Sequence, residues 1–395
     1  MKDEKMIKRL LGYSFAVMVI VLCVAMAVKF RVTSEQEAEE RKKAEALTPK
    51  ATMIGDKEVM AIMQGGHATY EEVWEVWQFL PQDTKEQLSE AQIRECILIK
   101  KPEGEDVSWQ VSEYLPDFKI GFTVEGAQNS ITSASVLRVW SGEYYYGMPA
   151  EEEILKELTI LSWEEDGKKM SEISMIFDRC YIPQITEMED YYVIQLQSYK
   201  EVYDRIVVID AGHGGKDKGA GAHDYAIHES KLNLKMLLYL KELLEQNTDI
   251  KVFCTRTEDV YPSLDDRVEL AVGLEADLFV SWHCNSFTSE SKSGTEVLYS
   301  PEQGVNDAFN SKAFAQICQR KLVQALGTKD NGIKERQDLR IIRKATMPVA
   351  LMEVAYLSNE SDLAILLDDE MLQKAAQAIY ESIMEAYSIM EETGE

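Results

Sequence analysis

The chain has 395 residues, more than a single hydrophobic core usually serves, so we expect two or three structured parts. Its formal net charge is −27, and such an acidic surface argues against nucleic acid as a partner, because phosphates would be repelled. The six cysteines form no CxxC pair, so a structural zinc ribbon is not supported and free thiols are expected.

The chain begins with a basic segment followed by an apolar run. Residues 10–28, LLGYSFAVMVIVLCVAMAV, carry no charge. A membrane-spanning helix needs about 20 apolar residues, and basic residues before it predict an inside amino terminus. We therefore predict a cytoplasmic tail (1–9), a single-pass anchor in the cell membrane (10–28) and an extracytoplasmic body. The alternative is a signal peptide cleaved near Ala25-Met26-Ala27, which also exports the body.

Two segments of different composition follow the apolar run. Residues 29–52 are highly charged and predict a stalk, helical or disordered, that lifts the body off the membrane. Residues 53–96 show a helical pattern, in which Val73, Trp77 and Leu80 fall near one face. We therefore predict a helical segment over 53–96.

Residues 97–200 change to short alternating segments separated by turn residues. Strands are predicted at 107–111, 119–124, 136–140, 173–177 and 191–196, which indicates a smaller β-rich domain. Trp109, Trp140 and Trp163 would suit stacking on sugars, so cell-wall binding is a hypothesis for this domain. Core and cross-strand packing is the commoner use of such aromatic side chains.

From residue 205 onward, predicted strands and helices alternate. Strands are predicted at 206–209, 250–255, 277–282, 295–299 and 348–352, and helices after Glu229 and at 263–273, 309–326 and 371–387. This order predicts an α/β domain over 205–390, with a mostly parallel sheet covered by helices on both faces.

Three chemically active side chains lie at or just past the ends of predicted strands. His213 lies in the glycine-rich turn after the first strand, His283 follows the strand at 277–282, and Glu353 follows the strand at 348–352. Because the carboxyl ends of parallel strands share one edge of a sheet, these side chains can meet in one crevice. Glu229, which starts the helix after the glycine turn, can face the same place.

Two imidazoles and a carboxylate are a suitable ligand set for Zn²⁺ with a fourth position left for water, and a second carboxylate can act as general base. Each residue also has a structural interpretation. His213 would cap the loop, Glu229 would complement the helix dipole, His283 would be a satisfied core histidine and Glu353 would pair with Arg267 or Arg343.

Five segments resemble the zinc-dependent N-acetylmuramoyl-L-alanine amidases of the amidase 3 type. They are IDAGHGG, HES with the following KLNL, TRTEDVYPSLDDRVELA, SWHCNS and MEVAYLSN, within roughly 206–387. The resemblance implies that His213, Glu229 and His283 bind zinc and that Glu353 assists catalysis. It also implies the substrate, which is the amide between the lactyl group of muramic acid and L-alanine in peptidoglycan. Cys284 departs from the small residue usual at its position, and a thiolate there would perturb the zinc.

Some amidases of this family carry a helical insertion that blocks the site until a partner removes it. The span from Cys284 to Met352 has room for two strands and one helix, so we predict no such plug and no required activator protein. The competing functions are a peptidoglycan-binding protein without activity, a zinc peptidase acting on the stem peptide, and a nucleotide-binding protein. The last lacks the lysine–serine or lysine–threonine ending of a phosphate-binding loop.

Overall fold

The computed structural model describes residues 52–54, 57–62, 66–67, 96–101, 108–115, 118–126, 136–139, 154–187, 191–221, 227–301 and 309–393. The predicted cytoplasmic tail and transmembrane anchor lie outside these ranges, as does all but the last residue of the predicted stalk. Among the helices of the described residues, none is both long and apolar enough to cross a bilayer.

The first half of the described chain consists almost entirely of strands. Strands β1–β11 are Thr52–Ile54, Lys57–Ile62, Gly66–His67, Cys96–Lys100, Ser108–Tyr114, Lys119–Glu125, Val136–Val139, Leu155–Glu165, Lys168–Phe177, Tyr181–Glu187 and Tyr191–Ser198. One sheet has the order β1-β2-β8-β9-β6-β5 and is antiparallel throughout. A second has the order β10-β11-β4-β7-β3, antiparallel except for β3 beside β7.

The helix predicted from residue 53 is wrong where the structure describes it. β1, β2 and β3 occupy described residues between 52 and 67, and β2 pairs along its length with the long strand β8. Pairing with an existing sheet satisfies the backbone and outweighs weak local helix propensity. The apolar stripe from Val73 to Leu80, which suggested the helix, lies outside the described residues.

Each of the five strands predicted between residues 107 and 196 has an observed counterpart, in β5, β6, β7, β9 and β11. The sequence reading missed β4, β8 and β10. β8 and β9 form a hairpin whose turn, Asp166-Gly167, has positive φ at both residues, as a two-residue hairpin turn requires. The apolar faces of the two sheets form one core, which includes Ile99, Leu158 and Met175. We use the name β-rich region for residues 96–198.

The second half of the chain forms the predicted α/β arrangement. Strands β12–β17 are Ile206–Ala211, Lys251–Cys254, Leu278–Asn285, Thr295–Tyr299, Asp330–Glu335 and Val349–Tyr356. Helices α1–α7 are Tyr199–Val202, Glu229–Asn247, Leu264–Gly273, Ser311–Leu326, Arg340–Lys344, Glu360–Leu367 and Asp369–Glu392. The sheet has the order β13-β12-β14-β17-β15-β16.

Helices cover both faces of this sheet, as predicted. Val207 and Ile209 of β12 pack with side chains of α2, α4, α6 and α7 in one core. Ile206 and Val208, which alternate with them, pack with α3 and α5 in another. Successive strand residues point to opposite faces, so a strand buried on both sides reads as the continuous apolar run seen in the sequence.

The sheet is mixed because β15 runs antiparallel to β17, while the other four pairings are parallel. Nine residues, 286–294, separate β14 from β15. A parallel return needs a crossover of a dozen or more residues, so this short loop brings the chain back in the opposite direction. β15 therefore begins at the same edge of the sheet where β14 and β17 end.

The β-rich region contacts the α/β part around the end of α3. The Cys180 amide donates to the Gly273 carbonyl at 2.9 Å, and Arg179 pairs with Glu275 at 2.7 Å. The Phe118 ring lies so close to Gly273 that a Cβ there would be 2.2 Å from its Cε1 atom. The two parts are therefore packed against one another on the face of the sheet that α3 covers.

Candidate active site and metal centre

Strand register places His283, Glu353 and Glu296 side by side. His283 of β14 is the direct partner of Glu353 on β17, and Glu353 is the direct partner of Glu296 on β15. Directly paired residues project to the same face of a sheet. The strands continue past the predicted ends, so His283 and Glu353 lie within β14 and β17 and not after them. Their placement at one edge is as predicted.

The glycine-rich turn after β12 brings His213 to this row. Gly212 passes directly over the imidazole of His283, since a Cβ at residue 212 would lie 2.2 Å from its Cε1 atom. The next residue, His213, adopts a left-handed conformation with φ of 63°. Such a conformation is rare for residues other than glycine and persists where surrounding contacts hold it.

The four predicted site residues do converge at one edge of the sheet. The Nε2 atom of His213 lies 3.2 Å from Oε2 of Glu229, and Nδ1 of His283 lies 2.9 Å from its Oε1. One candidate ligand atom from each of these three residues lies within 4.8 Å of the others. Glu353 is adjacent to His283 through the strand pairing.

Glu229 is held as a carboxylate at the first position of α2. Burial opposes its charge, but hydrogen bonds with the imidazoles of His213 and His283 hold its pKa well below the ordinary value. Backbone amides also reach it, with Ala220 donating to Oε2 at 2.9 Å and Cys284 donating to Oε1 at 3.1 Å. The side chain is therefore fixed by both of the segments that carry the histidines.

His213 is oriented by Asp217, a residue that the sequence reading did not single out. Its Nδ1 atom lies 2.8 Å from the Asp217 carboxylate, and its Nε2 atom faces Glu229. Burial lowers the pKa of His213, but Glu229 and then Asp217 outweigh this and raise it to about 9. A carboxylate on the second nitrogen of a metal-binding histidine fixes the ring and its tautomer.

Glu353 is half-buried, and its carboxylate oxygen Oε2 is itself buried. Among the described residues, its Oε2 atom has no hydrogen-bond partner. Burial raises its pKa to about 7; the nearby His283 opposes this rise most strongly, the carboxylates of Glu229 and Glu296 add to it, and His213 opposes it weakly. The proposed structural pairing with Arg267 is not observed, since Arg267 binds Asp210 at 2.6 Å. A carboxyl group with a pKa near neutrality suits general acid–base work.

Other polar side chains near the site also have defined partners. Arg267 forms a buried ion pair with Asp210, and Asn285 donates a hydrogen bond at 2.8 Å to Glu296. His228 precedes α2 at its N-cap and makes no capping bond with its side chain. His223 lies outside the described residues.

Cys284 does not place a thiolate beside the candidate metal site. Its side chain is buried, and its sulfur donates to the Asn233 amide oxygen at 3.6 Å. Burial, and then the neighbouring carboxylates Glu229 and Glu353, raise its pKa well above the ordinary value, so the thiol is neutral. Cys180, Cys254, Cys284 and Cys318 are free thiols, as expected.

Three further side chains that the sequence reading missed support the site. Arg256 donates to the carbonyls of the glycine turn, Asn233 contacts both that turn and Glu229, and Glu296 lies opposite Glu353. The only sequence signals were indirect: Arg256 lies within the segment TRTEDVYPSLDDRVELA, and Asn233 lies one helical turn after Glu229. Contacts of side chains with distant backbone leave no periodic pattern.

The three converging side chains fit a zinc ion in their chemistry. Catalytic zinc commonly takes three protein ligands from histidine and carboxylate side chains, with a fourth position for water or substrate. The two imidazoles and the carboxylate converge with their ligand atoms facing one another, and Asp217 supports the ring of His213 from behind. Nothing in the arrangement of the described donors conflicts with such an ion.

Comparisons with known proteins match the same part of the chain. Residues 207–385 match the family N-acetylmuramoyl-L-alanine amidase. The chain is 36% identical over 191 residues to the Bacillus subtilis protein YqiI. The aligned part covers 48% of this chain and 89% of YqiI. It is 34% identical over 186 residues to the N-acetylmuramoyl-L-alanine amidase LytC of the same organism. Here the aligned part covers 47% of this chain and only 36% of LytC.

A solved structure gives a similar match. The catalytic domain of CwlV, an N-acetylmuramoyl-L-alanine amidase from Bacillus (Paenibacillus) polymyxa var. colistinus, is 39% identical, with 47% of this chain and 99% of that chain covered and a TM-score of 0.43. Through residues 207–385, therefore, the chain belongs to the N-acetylmuramoyl-L-alanine amidase family.

Proposed function

We propose that this chain is a zinc-dependent amidase that hydrolyses the bond between the lactyl group of N-acetylmuramic acid and L-alanine in peptidoglycan. The observation that carries the proposal is the convergence of His213, Glu229 and His283 beside a half-buried carboxyl group, Glu353, of raised pKa. The amidase names of LytC and CwlV support the choice of bond.

His213, Glu229 and His283 would hold the zinc ion. When bound, zinc supplies a Lewis acid that polarises the scissile carbonyl and lowers the pKa of an attacking water to about 7. The residues around it keep the ligands in the required form. Asp217 fixes the ring of His213, and backbone amides of Ala220 and Cys284 hold Glu229 as a carboxylate.

Glu353 is proposed to move the proton. It takes a proton from the attacking water and delivers it to the departing alanine nitrogen, so that the products are a carboxylate and a free amine. Its raised pKa, near neutrality, suits both halves of this transfer. Within the described part of the chain, its Oε2 atom makes no protein hydrogen bond that would compete for the proton.

The substrate would enter between two loops at the same edge of the sheet. The loop after β13 exposes Val260 and Tyr261, and the loop after β14 exposes Phe287. Because β13 and β14 lie on either side of β12, these apolar side chains flank the glycine turn. Exposed aromatic side chains suit contact with sugar rings and peptide stems.

We also propose where the protein is located and how its activity is controlled. The apolar run at residues 10–28 would anchor the protein in the cell membrane, with the catalytic part outside. The described residues between β14 and β17, which exclude 302–308, form β15, α4, β16 and the short α5, one helix more than predicted. α4 and α5 pack in the cores on the two faces of the sheet, which supports an enzyme without a plug and without a required activator.

Two measurements on the purified body test the proposal together. Bound-metal analysis should find about one zinc per chain, the number that one three-residue ligand set holds. Mass spectrometry of digested sacculi should find intact stem peptides that begin with L-alanine. Peptides cut at an internal bond would instead identify a zinc peptidase, and tight retention on sacculi without any product would identify a binding protein.

A further inference from the structure

We infer that Arg256 is a positioning residue that holds the segments carrying His213 and Glu229 at their spacing before any metal binds. The inference rests on the proposed zinc site. The guanidinium of Arg256 donates from Nη2 to the Gly212 carbonyl at 3.1 Å and to the Ser230 carbonyl at 2.7 Å. One planar group thus joins the residue before His213 to the residue after Glu229.

The glycine turn relies on arginine donors for its carbonyl groups. The Ala211 carbonyl accepts from Nε of Arg256 at 2.8 Å and from Nη1 of Arg267 at 2.7 Å. The His213 carbonyl accepts from Nη2 of Arg267 at 2.8 Å. Buried carbonyl groups need donors, and charged donors make the stronger hydrogen bonds. These hydrogen bonds fix the carbonyl groups of Ala211, Gly212 and His213, and with them the left-handed backbone conformation of His213.

The position of Arg256 is electrostatically unfavourable. Its side chain is almost fully buried, with 3% exposed, and Arg267 lies close enough to repel it. Burial first, and then Arg267, lower its pKa, while the carboxylates of Asp210 and then Asp259 oppose them. In the described structure Asp210 is itself paired with Arg267. A buried cation that shares its counter-ion is costly, so a bridging role explains its presence better than packing does.

Lysine cannot replace this function. A guanidinium presents five donors in a rigid fork, whereas an ammonium is a point charge on a flexible stem. Arg256 uses three of its nitrogen atoms on four carbonyl groups, those of Ala211, Gly212, Ser230 and Glu258. An ammonium at the same place keeps the charge but leaves the bridge between turn and helix incomplete.

The test compares zinc affinity by chelator competition in the full chain and in the variants Arg256→Lys and Leu322→Ala. Leu322 is buried in α4, in the core on one face of the sheet. Both variants lower the melting temperature. Only Arg256→Lys should lower zinc affinity, by about 10- to 100-fold, the usual effect of losing a group that orients metal ligands. Equal affinity of Arg256→Lys and wild type would overturn the inference, and so would an equal loss of affinity in Leu322→Ala.

A measurement on the wild type decides the matter even if Arg256→Lys fails to fold. Hydrogen exchange of the metal-free chain should show residues 211–215 and 229–233 protected as strongly as the central strands of the same sheet, with zinc adding only the stabilisation that binding gives to the folded state as a whole. Rapid exchange that slows only with zinc would mean that the metal, and not Arg256, holds these segments. A wild-type chain that binds no zinc would refute the proposed function itself, which is a different outcome from equal affinity of the two chains.

Discussion

The site edge of the central sheet and the β-rich region bury different kinds of side chain. At the site edge the buried groups include Asp210, Glu229, Arg256 and Arg267, all ionisable and all hydrogen-bonded. In the described part of the β-rich region the buried polar residues are the serines Ser171 and Ser174, and the rest of its core is apolar. Buried charge costs free energy unless it is paired, so it persists where it does chemical or positioning work.

The buried ionisable side chains at the site edge indicate a function for the α/β part, whereas the described core of the β-rich region gives no such indication. The β-rich region has the side chains of a plain packed core, and Trp163, one of its proposed sugar-stacking residues, donates its indole N–H to Glu165 at 3.1 Å. The side chains of Trp109 and Trp140 lie outside the described part. Cell-wall binding by this region therefore stays a hypothesis, which a glycan pull-down with the full chain and with variants of these tryptophans would test.

The largest expected effect is on turnover, from Glu353→Gln. The amide cannot accept and deliver the proton, so hydrolysis should fall by about 10²- to 10⁴-fold while zinc binding is kept. Activity on purified sacculi and bound-metal analysis measure the two. Glu335→Gln, at an exposed carboxylate of β16, is the control and should leave turnover unchanged. Near-normal turnover of Glu353→Gln would show that another group moves the proton.

Asp210→Asn should cost the most stability. The Asp210 carboxylate accepts from Arg267, Ser281 and Thr255, each at 2.6 Å. Removing its charge leaves the Arg267 guanidinium buried without a counter-ion, which costs about 3–5 kcal/mol in the free energy of unfolding. Urea denaturation measures this loss. The exposed Asp265, which pairs with Arg340 and Lys344, is the control, and Asp265→Asn should change stability little.

The same pair predicts how stability depends on pH. Burial opposes the charge of Asp210, but Arg267 and the two hydroxyl donors outweigh it, so the folded pKa lies below the ordinary 3.8. A lowered folded pKa means that the stabilisation is complete above the unfolded value and is lost as the pH falls through the folded value. Wild type should therefore lose this contribution only in strong acid, below about pH 4, whereas Asp210→Asn should lack it at every pH.

The sequence predicted the site through strand pattern and could not predict its supports. His213, His283 and Glu353 follow apolar runs, and the common edge of parallel strands brings them together. Glu229 was placed at the same edge because it starts the helix after the glycine turn, and the family resemblance supported this ligand because one glutamate at a helix start has an ordinary structural role. Arg256 was not predicted because the carbonyls that it holds at the site, those of Ala211, Gly212 and Ser230, lie 26 to 45 residues away, which no local pattern marks.

The fold shows the same division between local and long-range information. The central strands were predicted within a few residues because burial on both faces gives continuous apolar runs. The strands between residues 52 and 67 were taken for helix, since β2 owes its structure to pairing with β8, about a hundred residues later. The direction of β15 was also not foreseen, because it depends on the length of one loop.

Gly212→Ala tests how closely the turn and His283 must approach. The new Cβ would overlap the His283 ring, so either the turn or the ring must move. Zinc affinity should fall by about 10- to 100-fold, as when a group that orients metal ligands is lost. Gly221→Ala is a matched control in the same loop, where the nearest atoms would lie at an ordinary 3.6 Å. Unchanged affinity in Gly212→Ala would show that the site tolerates a displaced imidazole.

Gly273→Ala tests whether the two regions are coupled. Alanine normally stabilises a helix relative to glycine by about 0.5–1 kcal/mol, but here its Cβ would meet the Phe118 ring of the β-rich region. The net effect should be a loss of about 1–3 kcal/mol from overpacking. In a double-mutant cycle measured by urea denaturation, Phe118→Ala should remove most of that loss. Additive effects of the two substitutions would mean that the regions do not press on one another at α3.

The smallest expected effect is that of Cys284→Ala. This substitution tests whether burial decides which groups at the site edge carry charge. Burial keeps this thiol neutral although it lies next to a proposed zinc ligand in sequence, so it should not take part in metal binding. Its loss should cost about 1 kcal/mol for the weak contact with Asn233 and change zinc affinity by less than about threefold. A tenfold loss of affinity, measured by chelator competition, would mean that the thiol ionises beside the metal. In that case burial alone would not decide which groups at this edge carry charge.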